Sequence, residues 1–299
     1  MNRKDFFKLL GLGALGTSSA AWGAALQRLG AVLPPTDPLP VLFFGHGSPM
    51  NAVEENRFVE GWRALAQRLN IQPQAVLCIS AHWETVGTRI TAMPQPRTIH
   101  DFGGFPAELY EIQYPAPGHP GLAAHIAGGL PGQVALDEEW GLDHGTWSVL
   151  KHIFPQADVP VLQLSLDRRM DAAAHYALAQ QLTDLRRRGV LVVGSGNLVH
   201  NLGQIAWQHL NDVGYAHHWA ATAHAQLNGW ILGGDHGALI AAPTRSDHAL
   251  RLAIPTAEHY LPLLYVLGMQ QPGESLELFN DHAVGGSITM TSVAVGLTA

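Results

Sequence analysis

The feature that most constrains the fold is a series of short apolar runs in which apolar and polar residues do not alternate. They lie at residues 41–44, 75–80, 89–93, 159–166, 190–193 and 287–295. A strand with one solvated face alternates, whereas a strand buried on both faces is apolar throughout. The runs therefore predict a sheet that is covered on both faces.

Stretches with helical spacing separate several of these runs. In the clearest, Phe58, Trp62, Leu65 and Leu69 recur every three or four residues, and others span about 171–188 and 217–232. The segments 93–118 and 232–246 look like loops inserted above the sheet. We predict a single α/β domain over residues 39–299, with a central mixed, mostly parallel sheet and helices on both faces.

Composition excludes some classes of function. The 299 residues carry a net charge of −7, which argues against a nucleic-acid partner bound by phosphate neutralisation. The single cysteine, Cys78, excludes an intramolecular disulfide and a multi-cysteine zinc site, and its apolar surroundings predict a core position. There are 17 histidines, which favours metal or proton chemistry.

Residues 1–38 have the features of an export leader and linker. A basic start is followed by an apolar stretch at 9–16 and small residues at 17–21, as in a signal sequence. Arg3 and Lys4 resemble the twin-arginine pattern, with lysine in the second position. We expect a periplasmic protein whose mature domain has no stable membrane association. The alternative is an amphipathic leader or uncleaved anchor on a protein that is otherwise cytoplasmic.

Three histidines follow predicted strands. His46 comes just after the run 41–44, His82 after 75–80 and His200 after 190–193. Ligands of open α/β sheets bind at the carboxyl ends of the strands, so these side chains are expected to converge. A single histidine at a strand end is ordinarily a hydrogen-bonded loop residue, but three together predict a site.

Two further histidines join them as candidates. Thr256 is expected to cap a helix that holds Glu258 and His259 in its first turn, and His144 enters another helical stretch. For His144 a helix-capping or core role is the alternative.

Six motifs occur in a characteristic order. They are Gly45-His46-Gly47-Ser48-Pro49-Met50-Asn51, Ser80-Ala81-His82-Trp83, Thr98-Ile99-His100-Asp101-Phe102-Gly103-Gly104-Phe105-Pro106, Asp143-His144-Gly145-Thr146-Trp147, Ser195-Gly196-Asn197 with His200-Asn201, and Glu258-His259-Tyr260-Leu261-Pro262-Leu263. The set resembles the bacterial 4,5-DOPA extradiol dioxygenases of the class III (LigB-like) ring-cleavage family. The resemblance covers about residues 40–295.

The resemblance implies a non-haem metal held by His46, His82 and one member of the Glu258–His259 pair, with His259 preferred. His200 is implied either as a fourth ligand or as an acid/base. Fe(II) is expected for activity because ring cleavage needs a redox-active metal, and redox-inert Zn(II) is possible in the same site.

The implied reaction cleaves the aromatic ring of a catechol and incorporates both atoms of O2 into a ring-opened semialdehyde. His200 and His144 are the acid/base candidates, because histidine titrates near neutrality. His100 and His144 are candidates for substrate binding, although His100 could equally belong to a structural turn.

Two other functions fit part of the pattern. A zinc hydrolase would also use several histidines and an open coordination position to activate water. A tetrapyrrole metal chelatase or metal carrier could also begin with a strand followed by Gly-His-Gly-Ser, but it would not need the later motifs.

Overall fold

The computed structural model describes residues 33–297, so residues 1–32 of the predicted leader lie outside the described residues. A central sheet of eight strands has the order β4-β3-β5-β2-β6-β1-β10-β7, and β8 and β9 form a separate pair. The strands are β1 (Val41–Gly45), β2 (Ala75–Thr85), β3 (Thr88–Thr91), β4 (Val134–Asp137), β5 (Val161–Asp167), β6 (Val190–Gly196), β7 (Leu276–Phe279), β8 (Ala283–Val284), β9 (Ile288–Thr289) and β10 (Ser292–Val295).

The pairing confirms a mixed, mostly parallel sheet. β6 pairs in parallel with both β1 and β2, β2 pairs in parallel with β5, and β3 with β4. The antiparallel pairs are β1 with β10, β10 with β7, and β3 with β5. The carboxyl ends of β1, β2, β5 and β6 therefore meet at one edge of the sheet.

Helices cover both faces of this sheet. They are α1 (Arg57–Leu69), α2 (Ala107–Tyr110), α3 (Pro120–Gly129), α4 (His144–Ile153), α5 (Ala172–Gln181), α6 (His218–Gly233), α7 (His236–Ala241), α8 (His248–Ala253) and α9 (Leu261–Gly268). The side chains of Val41 and Phe43 join the core beneath α3 and α5–α9, whereas those of Leu42 and Phe44 join the core beneath α1 and α4. Both faces of β1 are thus buried, as its continuous apolar run predicts.

Helix α1 shows how the apolar spacing becomes packing. The four apolar side chains that recur along it, Phe58, Trp62, Leu65 and Leu69, are buried, and Trp62 is fully enclosed. The helix begins after Asn56, whose side-chain oxygen accepts the backbone N–H groups of Phe58 and Val59 at 3.1 Å. It ends at Asn70, which takes the left-handed conformation (φ 39°) common after helices.

Four sequence-based expectations need correction. The segment 232–246 is not a loop: Asp235 accepts the N–H of Ala238 and caps α7, and a 3-10 turn follows at Ala242–Thr244. The run 287–295 is two strands in different sheets. The predicted helix 171–188 ends at Gln181, and a 3-10 turn occupies Thr183–Arg188. β4 and β7 were missed because these edge strands are only partly buried and lack a continuous apolar run.

Further 3-10 turns lie at Pro49–Ala52, Leu202–Gln204 and Trp207–His209. Within residues 33–297 no helix is both long and apolar enough to cross a membrane.

Candidate active site

Strands β1 and β2 bring the first two predicted histidines together. His46 follows β1, and its backbone N–H donates to the carbonyl of Gly196 at 3.0 Å. His82 does not follow its strand as expected but lies within β2, which continues to Thr85. The register of β2 against β5 shifts between Ile79 and Glu84, and such irregularities re-aim side chains next to functional sites.

The imidazole of His46 is held in one tautomer. Its Nδ1 lies 3.0 Å from Ser195 Oγ, and that hydroxyl donates its one proton to the carbonyl of Gly145 at 2.5 Å. Ser195 can therefore only accept from His46, so Nδ1 of His46 carries the proton. Its Nε2 keeps a free lone pair, which is the form that binds a metal.

The Nε2 atoms of His46 and His82 face each other at 3.1 Å. Two imidazole nitrogens that bind one ion at about 2.0–2.1 Å each are roughly 2.9–3.4 Å apart for angles near 90–110°. The observed spacing fits a shared divalent ion, and the donor set is the imidazole type that zinc and iron accept.

His144 is the first residue of α4 and faces the same pair. Its ring centroid lies 3.9 Å from that of His82, and His46, His82 and His144 each offer a ligand atom within 4.8 Å of the others. The helix is capped by Asp143, which accepts the N–H of Thr146, so His144 is not itself the cap. Its Nδ1 donates to Oδ2 of Asp101 at 2.9 Å.

His259 lies just before α9, not inside the helix as predicted. Thr256 does not cap the backbone; its hydroxyl donates to Oε1 of Glu258 at 2.9 Å, and Nδ1 of His259 donates to the same oxygen at 3.0 Å. Glu258 is thus engaged with two neighbours, and Nε2 of His259 remains free. The His259 ring centroid lies 5.3 Å from that of His46 and 5.0 Å from that of His82.

His200 stacks on His259, with ring centroids 3.5 Å apart and planes at 11°. Together with Glu258 these two residues offer a second group of ligand atoms within 4.8 Å of one another. Lone pairs of stacked imidazoles lie in parallel planes, so the two rings as they stand do not point at one common ion. Hereafter His46, His82, His144, His200 and His259 are the histidine cluster.

Comparisons with known proteins agree with this geometry. Residues 38–269 match the family described as the catalytic LigB subunit of aromatic ring-opening dioxygenase. The chain belongs to this family.

Two relatives carry a more specific name. The dioxygenase is 44% identical over 263 residues to "4,5-DOPA dioxygenase extradiol" of Escherichia coli K12, covering 86% of this chain and 95% of the relative. It is 36% identical over 258 residues to the protein of the same name from Beta vulgaris, covering 84% and 94%. A crystal structure of an uncharacterized Escherichia coli K12 protein superposes with a TM-score of 0.73 at 38% identity, covering 86% of this chain and all of that one.

The enzyme is therefore a non-haem, metal-dependent extradiol dioxygenase that opens an aromatic ring with O2, as the ordered motifs indicated. The hydrolase and chelatase alternatives have no counterpart among these relatives.

Burial keeps three histidines of the cluster neutral: His46, His82 and His200. It lowers the pKa of His46 and His82 well below the ordinary histidine value, and the neighbouring histidines lower it further. Burial, followed by the proximity of His259, lowers the pKa of His200 to about 3. Neutral imidazole is the form that binds metals and accepts protons, so His46, His82 and His200 are in the form that both roles need.

His100 lies beside the cluster rather than in it. Its Nε2 donates to the carbonyl of Ile112 at 3.0 Å, and its ring contacts Phe102, Tyr110 and Trp147. Phe102 in turn lies 5.5 Å from His144, centroid to centroid. The structure thus places an aromatic wall on the His144 side of the cluster.

Sequence reasoning missed the partners that orient the histidines. Ser195, Glu258 and Asp101 lie within the quoted motifs, but their sequence context assigned none of them the role of orienting a histidine. Adjacency in a motif was the available signal, but a hydrogen bond between residues 43 positions apart has no sequence pattern of its own.

Proposed function

We propose that the enzyme cleaves the ring of a catechol with a DOPA-like side chain, giving a ring-opened semialdehyde, with Fe(II) bound by His46, His82 and His259 of the histidine cluster. The observation that carries the metal site is the 3.1 Å approach of the His46 and His82 Nε2 atoms. The substrate class is supported by the names of the two relatives that the chain matches over most of its length.

His259 is the proposed third ligand. Both His259 and His144 hold their Nδ1 proton against a carboxylate and leave Nε2 free, which is the usual arrangement of metal-bound histidines. His144, however, adjoins the aromatic wall of Phe102 and Trp147. An aromatic substrate packed against that wall brings its hydroxyl groups to His144, so we assign His144 to the substrate and His259 to the metal.

Fe(II), when bound, supplies the redox-active centre at which a catecholate and O2 can exchange electrons. Zn(II) fits the same nitrogens but has no redox chemistry. Zinc is therefore expected to bind and to inhibit.

Two histidines, His200 and His144, are the proposed acceptors and donors of the substrate's phenolic protons. Burial lowers the pKa of His200, so its imidazole is neutral at pH 7 and its lone pair is free to accept a hydrogen bond from a phenolic hydroxyl group. We assign His200 the acid/base role on that ground. His144 offers a second free Nε2, and its Nδ1 is held by Asp101. The ring of Phe102 is expected to exclude water from one face of the substrate, and the fully buried Trp147 packs behind it. His100 contributes to this wall by packing against both.

We also propose that residues 1–38 direct export of the folded enzyme and that the catalytic domain spans 39–299. The basic start and apolar stretch of the sequence support the first part. The family match from residue 38 and the start of β1 at Val41 support the second.

The test is anaerobic loading of metal-free enzyme with Fe(II), followed by a panel of catechols and O2. We expect stoichiometric O2 consumption and a yellow ring-opened product with a DOPA-like catechol, and neither with the Zn(II)-loaded enzyme. Product mass spectrometry in 18O2 should show both oxygen atoms incorporated. An iron-loaded enzyme that consumes no O2 with any catechol would refute the proposal.

A further inference from the structure

A single carboxylate contacts two members of the histidine cluster. Oδ1 of Asp101 accepts the backbone N–H of His144 at 2.8 Å, and Oδ2 accepts Nδ1–H of the same residue at 2.9 Å. Oδ2 also lies 3.5 Å from Nδ1 of His82. Both oxygens of Asp101 are therefore directed at the histidine cluster, and its side chain is only 15% exposed.

The loop that carries Asp101 is fastened to the start of α4. The N–H of Ile99 donates to the carbonyl of Leu142 at 2.7 Å. The carbonyl of Ile99 accepts Nε1–H of Trp147 at 2.8 Å. These bonds join Ile99, two residues before Asp101, to residues on both sides of His144, so they hold the loop of Asp101 close to His144.

This geometry selects one form of His144. An ionised carboxylate only accepts hydrogen bonds, so Nδ1 of His144 carries the proton and Nε2 keeps its lone pair. The hydrogen bond that the backbone N–H of His144 donates to Oδ1 fixes the orientation of the Asp101 carboxylate. The fixed carboxylate then prevents the His144 ring from flipping. An imidazole without such a partner would populate both tautomers and present a proton to the cluster part of the time.

We propose that Asp101 is a positioning residue, which locks His144 in the Nδ1–H tautomer so that Nε2 can accept a proton from the aromatic substrate. This inference rests on the proposed function, because it takes His144 as the group facing the substrate hydroxyls. The 3.5 Å contact with His82 is longer than a good hydrogen bond, so the main effect is assigned to His144.

The test is Asp101→Asn. The amide oxygen can still accept the backbone N–H of His144, but the amide nitrogen then faces Nδ1 and donates to it. The proton of His144 should move to Nε2. We expect kcat to fall by about 10²–10⁴-fold, the size associated with a lost proton-transfer group or a wrong tautomer, while KM changes only a few-fold.

A spectroscopic measurement makes the result independent of turnover. The 15N shifts of the His144 ring, identified by their loss in His144→Gln, should report Nδ1–H in metal-free wild-type protein and Nε2–H in Asp101→Asn. The matched control is Asp281→Asn, which removes a carboxylate that accepts from His224 at 2.6 Å outside the cluster. It should leave both kcat and the His144 tautomer unchanged. Asp101→Glu, which restores a carboxylate, should recover the Nδ1–H tautomer and part of kcat.

Each outcome decides a separate point. If Asp101→Asn keeps the wild-type tautomer and kcat and only melts earlier, Asp101 is merely structural. An Nε2–H tautomer in the wild-type enzyme would overturn the inference directly, whether or not the variant folds. If the wild-type tautomer is Nδ1–H but no catechol is turned over, the proposed function fails while the positioning of His144 by Asp101 stands.

Discussion

At the scale of single residues, the proposed metal site depends on imidazoles that hydrogen bonds hold in the metal-binding tautomer. His46 owes its free Nε2 to Ser195, and His259 owes its own to Glu258. These partners fix the orientation of the imidazoles, and replacing such a partner typically lowers metal affinity or activity by about 10–100-fold.

Replacing either of the two histidines whose Nε2 atoms face each other, His46 or His82, should remove the metal. His46→Ala and His82→Ala are each expected to abolish stoichiometric binding of Fe(II) or Zn(II), because a site with few neutral ligands loses most of its affinity with one of them. Elemental analysis after gel filtration measures this, with His218→Ala, an exposed histidine of α6, as the control. Full occupancy in both variants would exclude His46 and His82 as ligands.

The role of His200 can be separated from metal binding. Its ring stacks on His259 instead of pointing with it at one ion, so His200→Gln should keep metal and substrate binding while turnover falls by about 10²–10⁴-fold. The variant is titrated with Fe(II) anaerobically before catechol and O2 are added. Recovery to near wild-type turnover at saturating iron would instead identify His200 as a ligand.

At the scale of elements, much of the site was predictable because strands place side chains by simple geometry. The apolar runs predict β1, β2 and β6. Because these strands are parallel neighbours, the histidines near their carboxyl ends lie close together. What could not be predicted follows from contacts between distant segments. The first turn of α9 was placed too early because Thr256 bonds to Glu258 rather than to the backbone, and Asp101 reaches His144 only through the fold.

Close backbone approach holds two of these elements together. A Cβ atom built on Gly196, at the end of β6, would lie 2.1 Å from the carbonyl oxygen of His259, the same oxygen that accepts the N–H of Asn197. Similarly, a Cβ on Gly145 would lie 2.9 Å from the ring of His82. Glycine at these positions allows α4 and the His259 segment to approach the strand ends.

Gly196→Ala should therefore displace His259 and weaken the metal site. We expect a loss of about 1–3 kcal/mol in the free energy of unfolding, as for overpacking elsewhere, together with lower affinity for Zn(II) in calorimetric titration. Gly128→Ala is the control, since the added methyl group in α3 meets nothing within 4 Å and should stabilise the helix slightly. Unchanged Zn(II) affinity in Gly196→Ala would show that His259 does not depend on this approach.

At the scale of the whole molecule, buried neutral histidines make stability depend on pH. Burial lowers the pKa of His175, a residue of α5 outside the histidine cluster, from 6.5 to about 4. The unfolded chain binds this proton below pH 6.5 and the folded chain does not until about pH 4, so stability falls as the pH is lowered through that window.

We expect this one residue to contribute a slope of about 1.4 kcal/mol per pH unit between pH 6 and 5. Denaturant titrations of metal-free enzyme at several pH values measure the slope, and His175→Gln should reduce it by about that amount. An equally steep dependence in the variant would mean that His175 is not neutral in the folded protein.

The proposed export leader predicts where in the cell a fusion protein is found. Residues 1–38 fused to a reporter that matures only when folded should reach the periplasm through the twin-arginine route, and changing Arg3 and Lys4 should stop it. A fusion that stays in the cytosol would contradict the export proposal.

The order of the sheet has a consequence for synthesis. β1, which leads directly to His46, lies between β6 and β10, and Val41 pairs with both Val192 and Val295. Until the ribosome has added the last strand, β1 has an open edge of the kind that recruits other chains, and such distant pairings form slowly. A message cut short before codon 292 should therefore yield aggregated polypeptide for proteases to clear, not a weakened enzyme.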